Sequence, residues 1–183
     1  MVLYIHGFAS SGRGSKAWTV RQHFGAHAMA PSLSYVPELA FDTLTQLVER
    51  FLPHEPIHLI GSSLGGFYAA NLAERYGLKA VLINPSLKPY ETLAAYTGEV
   101  KNFYDLSAFE WNERHIQTLE SLALGPIKTP GNYMVLLQTG DELLDWHVAA
   151  EMFQDGHIFI EEGGSHAFEG FENHLAAIEK FFS

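Results

Sequence analysis

The chain contains no cysteine. That removes disulfide staples, a thiolate nucleophile and every cysteine-based zinc site, and it leaves the redox compartment undetermined. It also lacks any apolar run long enough to cross a bilayer as a helix. Positive charge is scarce: 11 Lys and Arg stand against 21 Asp and Glu, for a net charge of −10. An acidic surface repels phosphate backbones and anionic lipid, so neither nucleic acid nor a membrane is an expected partner. The opening residues, MVLYIHGFASS, show no basic segment followed by a long apolar one. No export signal is read there, and a cytoplasmic location is the expectation. There is no internal repeat, linker or low-complexity tract.

What is present suits one globular domain. The chain has 183 residues, 47% of them hydrophobic and 17% charged. A chain of this length can bury roughly 70% of its unfolded surface, enough for a full core without staples.

Short β-rich runs alternate with helical stretches. The apolar runs VLYI (2–5), AVLI (80–83) and MVLL (134–137) are continuous rather than alternating, as in strands buried on both faces. IHLIGS (57–62) and HIFIEEGG (157–164) read as further strands, and APSLSYV (30–36) as a weak one. Helical stretches are read at 16–27, 38–52, 64–77, about 145–153 and 171–182, with Gly77 closing the third as a C′ residue. Alternating β and α units predict an α/β fold, a mostly parallel sheet of about six strands with helices on both faces. Residues 86–128 break the alternation. No strand is read there; helical segments and the aromatics Tyr90, Tyr96, Phe103, Tyr104, Phe109 and Trp111 are. The length exceeds a usual βα connection, so the stretch reads as a cap-like helical insertion in a single domain over 1–183. Ordinary helical packing on the sheet is the alternative.

Two catalytic signatures overlap in HEPIHLIGSSLGG (54–66). His54 to His58 match H-E-x-x-H, which binds zinc only when a helix puts both histidines on one face. Pro56 disfavours that helix, and an extended chain would splay the histidines apart. His23 and His27 share the same spacing but have no carboxylate of matching pattern nearby. No metal is expected. Gly61 to Gly65 match G-x-S-x-G, the nucleophile elbow, which requires a strand, a sharp turn and a helix. IHLI and LGGFYAANLAERY supply the flanking elements. Small residues two before and two after the serine let strand and helix approach closely, and Gly61 and Gly65 fill those places. Ser63 would then stand at the apex, at a helix N-terminus.

A serine hydroxyl needs a base, usually a histidine oriented by a carboxylate. In this architecture the chain order is serine, acid, histidine. Asp141 follows the strand YMVLLQTG (133–140), and His166 lies in SHAF after HIFIEEGG (157–164), each just past a strand C-terminus, where the ligand-facing loops of a parallel sheet lie. Glu142 and Asp145 are rival acids that rank behind Asp141, and capping the next helix is the commoner role for a residue placed as Asp145 is. His58 reads as a core or edge histidine, and His147, His157 and His174 as surface residues. An oxyanion hole needs two backbone N–H groups. Leu64, the residue after the nucleophile, would supply one, and Phe8, in the HGF loop after the first strand, the other. Gly7 gives that loop room to turn.

YIHGFASS, GSSLGG, LLQTGDELLD and EGGSHAFEGFE together resemble the small bacterial YqiA-like esterases of the α/β-hydrolase fold. The motifs run from residue 4 to residue 172. GSSLGG occurs across many hydrolases, whereas the joint GDELLD and GGSHAF context is far more specific. The resemblance implies a compact α/β-hydrolase without the leading antiparallel strands of larger members, with a triad on Ser63, His166 and Asp141. It implies an esterase, with acyl thioesters as a further substrate class. Some relatives carry Gln where this chain has His6, a change that leaves the Phe8 amide in place.

The expected activity is therefore cofactor-free hydrolysis of a small-molecule carboxylic ester through an acyl-enzyme. An acyl-CoA thioesterase using the same triad is the alternative. Arg13, Lys16 and Arg21, beside the proposed oxyanion loop, are the candidate phosphate contacts or else a plain solvated face. A binding protein on a hydrolase scaffold is the third reading. Acyl chain length and oligomeric state are not legible.

Overall fold

The computed structural model describes residues 1–183. Its elements run β1 (Val2–Ile5), α1 (Ser15–Phe24), β2 (Ala28–Met29), α2 (Pro37–Phe51), β3 (His58–Ser62), α3 (Leu64–Tyr76) and β4 (Lys79–Ile83). They continue with α4 (Pro89–Thr92), β5 (Gly98–Lys101), β6 (Ala108–Trp111), α5 (Glu113–Ser121), β7 (Tyr133–Gln138), α6 (Trp146–Met152), β8 (His157–Glu161) and α7 (Leu175–Phe182). Six strands form one sheet in the order β2-β1-β3-β4-β7-β8, every pairing parallel. No helix is long and apolar enough to cross a membrane.

The central strands are apolar throughout because both faces are covered. Leu3, Ile5, Leu59, Ala80, Leu82, Val135 and Leu137 pack with α2, α3 and α6 through residues such as Leu44, Val48, Phe67 and Ala149, and with Phe153 just past α6. Their sequence neighbours Val2, Tyr4, Ile60, Val81, Met134 and Leu136 pack on the other face with Val20 of α1 and Ile178 of α7. This is the two-residue period of a strand sorting one run into two cores.

The strand order fixes where a site can form. From β1 the chain crosses to β2 on one side, then returns to lay down β3, β4, β7 and β8 on the other. Beyond the C-terminal ends of β1 and β3 the two connections part, which leaves a crevice at this topological switch point. The loops after β1 and β3, carrying Phe8 and Ser63, border it.

Three elements differ from the sequence expectation. The weak strand expected over 30–36 is instead a two-residue pairing at Ala28–Met29, against Val2 and Leu3. The first helix gives way to a 3₁₀ turn at Gly25–His27 rather than running to residue 27. Residues 86–128 hold the expected helical segments but also an antiparallel hairpin, β5–β6. In β6, Phe109 and Trp111 are buried while Ala108 and Glu110 are exposed, the alternation of a half-covered strand. Their rings pack on that of Phe8, with centroids 5.8 and 4.7 Å away. The segment joining the two strands is tied to the loop after β1. The Phe103 N–H donates to the Ala9 carbonyl at 2.7 Å, and Asn102 Nδ2 to the Ser10 carbonyl at 3.2 Å.

Candidate active site

Ser63 joins β3 directly to α3. Its backbone is at φ 55°, ψ −122°, a region that costs a non-glycine residue about 1–3 kcal/mol and persists only where its surroundings enforce it. The Ser63 N–H donates to the Ile83 carbonyl at 3.0 Å, while its own carbonyl accepts from Gly66 at 2.9 Å and Ser86 at 3.1 Å. The flanking glycines allow the close approach. A Cβ on Gly65 would overlap the Ile5 carbonyl, and one on Gly61 would overlap the Gly65 carbonyl and come within 2.8 Å of Ala69 Cβ. On the facing loop, a Cβ on Gly7 would lie 3.2 Å from Ser63 Cβ.

Three residues distant in the chain meet here. His166 Nε2 lies 2.9 Å from Ser63 Oγ, and His166 Nδ1 lies 3.0 and 2.9 Å from the two oxygens of Asp141. A carboxylate only accepts, so the ring proton sits on Nδ1 and the Nε2 lone pair faces the serine hydroxyl. The Asp141 side chain is 2% exposed and that of His166 18%. Burial alone would raise the Asp141 carboxyl. Hydrogen bonds from His166 and from the Leu143 and Leu144 amides outweigh it and hold the carboxyl below its ordinary range. The rival acids do other things. Glu142 accepts from the His166 backbone N–H at 2.9 Å, and Asp145 caps α6 through the His147 N–H at 3.0 Å.

Phe8 and Leu64 both line the cavity that opens at Ser63. The Phe8 amide donates to no other group of the protein. Leu64 is the first residue of α3, where an amide has no intrahelical acceptor. His6 holds the Phe8 loop: Nδ1 donates to the Gly7 carbonyl and Nε2 accepts from the Leu33 N–H, both at 2.9 Å. That pattern requires a neutral ring. Burial pushes His6 below its usual pKa despite the opposing Gly7 hydrogen bond.

Sequence reasoning missed two supporting residues. Asn84, just past β4 at φ 37°, donates from Nδ2 to the carbonyls of Ser165 (2.9 Å) and His166 (3.2 Å). Its Oδ1 accepts from the Gln138 N–H at 3.0 Å. The buried Gln138 side chain accepts from the amides of Ser165 and Glu169 and donates to Glu161 and to the Glu169 carbonyl. Together they fasten the loop that carries His166. The available signal was a polar residue closing an apolar run, in LIN and in LLQ.

His54 and His58 do not share a helix face. His54 lies in an exposed turn, and His58 opens β3 with its ring stacked on Phe182 at 4.6 Å. His23 on α1 pairs with Glu179 at 3.2 Å, and His27 lies past that helix.

The cavity has a volume of about 370 Å³. Leu93, Tyr96, Val100 and Phe103 of the insertion and Leu143 and Leu144 form its apolar wall.

Comparison with solved structures gives the same architecture. Alpha/beta hydrolase domain-containing protein 10 from mouse superposes with a TM-score of 0.75 at 17% identity, covering 98% of this chain and 88% of that one. The monoacylglycerol lipase of Paleococcus ferrophilus gives 0.70 at 18% identity, covering 99% and 93%. At these identities the likeness establishes the α/β-hydrolase fold. Among sequences, a UPF0227 protein of Shewanella woodyi is 28% identical over 192 residues, covering 99% of this chain and 98% of the relative. One of Vibrio parahaemolyticus is 24% identical over 191 residues with the same coverage. The family model described as "Uncharacterised protein family (UPF0227)" matches residues 1–183, in agreement with the resemblance drawn from the motifs, and the chain belongs to that family.

Proposed function

We propose that this protein is a serine carboxylic ester hydrolase. Ser63 Oγ attacks the acyl carbon as His166 Nε2 takes its proton. Asp141 fixes the tautomer and stabilises the imidazolium. The tetrahedral oxyanion is held by the Phe8 and Leu64 amides. His166 then returns the proton to the departing alcohol, and a water activated by the same imidazole cleaves the acyl-enzyme. The insertion serves as the wall over the acyl site, and its aromatic and aliphatic lining suits an apolar group. No step calls on a metal or an organic cofactor.

The observation that carries the reading is the unbroken chain from Asp141 through His166 to Ser63, each link at about 2.9 Å. A thioester carbonyl would enter the same chemistry. An acyl-CoA substrate ranks second because, of Arg13, Lys16 and Arg21, only Lys16 lines the cavity. The test is labelling by a fluorophosphonate probe together with turnover of short aryl esters. Both are expected of the wild type and neither of Ser63→Ala. A wild type that takes no label would leave a binding protein on a hydrolase scaffold as the better reading.

A further inference from the structure

The cavity beside Ser63 has a second, polar wall. It comes from the segment after β1 and the start of α1, and includes Ser10, Ser11, Ser15 and Lys16. Lys16 is the only lysine or arginine among the lining residues, and no Asp or Glu lines the cavity. Its ammonium donates to the carbonyl of Ala167, the residue after His166. An ammonium has three donors, so two remain for something else. No carboxylate neighbour offsets the desolvation, which pushes Lys16 below its usual range. A partly buried cation without a counter-ion is costly. It is the more notable in a chain with 11 cations and 21 anions.

Position assigns the side of the substrate. In the proposed mechanism His166 hands its proton to the leaving group, so that group must lie on the imidazole side of Ser63. Lys16 reaches the residue next to His166. We propose that Lys16 is a specificity-determining residue that recognises an anionic substituent, carboxylate or phosphate, on the leaving-group side of the ester. The acyl part takes the apolar wall. This rests on the serine hydrolase reading and adds the class of alcohol released. The lone cation matches a single anionic group rather than a polyphosphate. Its contact to Ala167 also allows a purely structural role, tying α1 to the histidine loop, and the test separates the two.

Butyrate esters of 4-hydroxybenzoate and 4-hydroxybenzamide differ in charge at one position of the leaving group, and the butyrate of 4-hydroxybenzylphosphonate is the phosphate-like arm. The measured quantity is the ratio of kcat/KM for each anionic ester to that for the neutral one. Intrinsic leaving-group reactivity cancels when this ratio is compared between wild type and Lys16→Gln. The ratio is expected to fall about tenfold or more in Lys16→Gln, the usual worth of a hydrogen bond to a charged group. Lys16→Arg is expected to keep most of the preference. Which anionic arm falls further identifies carboxylate or phosphate as the group recognised. Equal losses on anionic and neutral esters would make Lys16 structural and overturn the proposal. Should Lys16→Gln not fold, product inhibition of the wild type decides: 4-hydroxybenzoate or the phosphonate must inhibit more strongly than 4-hydroxybenzamide, and equal inhibition by all three refutes it. Absence of turnover of every ester, with Ser63 unlabelled by fluorophosphonate, would instead overturn the hydrolase reading on which this one rests.

Discussion

Replacing Gln138 by leucine removes a polar side chain of similar size from beneath the His166 loop. The native side chain is 4% exposed and makes four hydrogen bonds, all to Glu161, Ser165 and Glu169. At a net worth of about 1 kcal/mol each, their loss costs about 3–4 kcal/mol. The orphaned groups belong to residues that are not buried, so water takes up part of the desolvation penalty. Against a total stability of about 5–15 kcal/mol this is a large share, yet the variant is expected to fold at 25 °C. Urea denaturation should show the midpoint fall with the slope unchanged. The same loop sets the 2.9 Å contact between His166 Nε2 and Ser63 Oγ. A misplacement of about 1 Å can cost about 10²-fold, so kcat on an aryl ester should drop about 10–100-fold while the variant is folded. A midpoint equivalent to less than about 0.5 kcal/mol of change, with kcat within twofold, would refute the reasoning. It would mean that Asn84 and the burial of Phe168 hold the loop unaided.

Asp141→Asn leaves the packing in place but permits the wrong imidazole tautomer, and should lower kcat by about 10⁴. Because the folded Asp141 carboxyl is held below its ordinary range, it stabilises the wild type above the ordinary carboxyl pKa, and that stability is lost as pH falls through the lower folded value. The Asn variant should lack this component of acid sensitivity in urea titrations between pH 5 and pH 3, conditions flanking roughly the ordinary carboxyl pKa. His58 should contribute acid sensitivity in a higher window. Burial, then the N-terminal ammonium and Lys79, push its pKa down to about 4. Between the ordinary value of about 6.5 and that folded value, the unfolded chain binds a proton that the folded chain does not, so acidification destabilises. In His58→Phe, which keeps the stack on Phe182, stability should change less between pH 7 and pH 5, about the span of that titration. An unaltered pH dependence would mean that His58 titrates normally.

The sheet was legible where burial was complete. VLYI, AVLI and MVLL stand out because both faces of β1, β4 and β7 are covered and no polar residue interrupts them. β2 evades a sequence reading because it pairs only two half-buried residues at the sheet edge, too few to leave a pattern. β6 carries a signal, the alternation in AFEW, but its partner β5, GEVK, is almost wholly exposed and shows no pattern, so the hairpin does not stand out from its helical surroundings. At the site, the residues that meet around Ser63 are legible because each lies on a loop following a strand at the same end of the sheet, in the chain order serine, acid, histidine. Asn84 and Gln138 are not. Their roles depend on which loop lies above them, and local sequence does not encode that neighbour. The role of His6 leaves no local trace either, because its grip on Leu33 spans 27 positions of chain.

β4 and β7 are neighbours in the sheet, paired from Ala80 opposite Tyr133 to Ile83 opposite Leu136. The segment between them therefore leaves the sheet at the C-terminal end of β4 and re-enters it at the N-terminal end of the neighbouring β7. Beyond Asn84 and Ser86, which bond the His166 loop and the Ser63 carbonyl, that excursion can change in length or lining without altering how β4 pairs with β7, while Ser63, Asp141 and His166 sit on other connections. The insertion's share of the cavity wall can thereby be recast while the three side chains that meet at Ser63 keep their places.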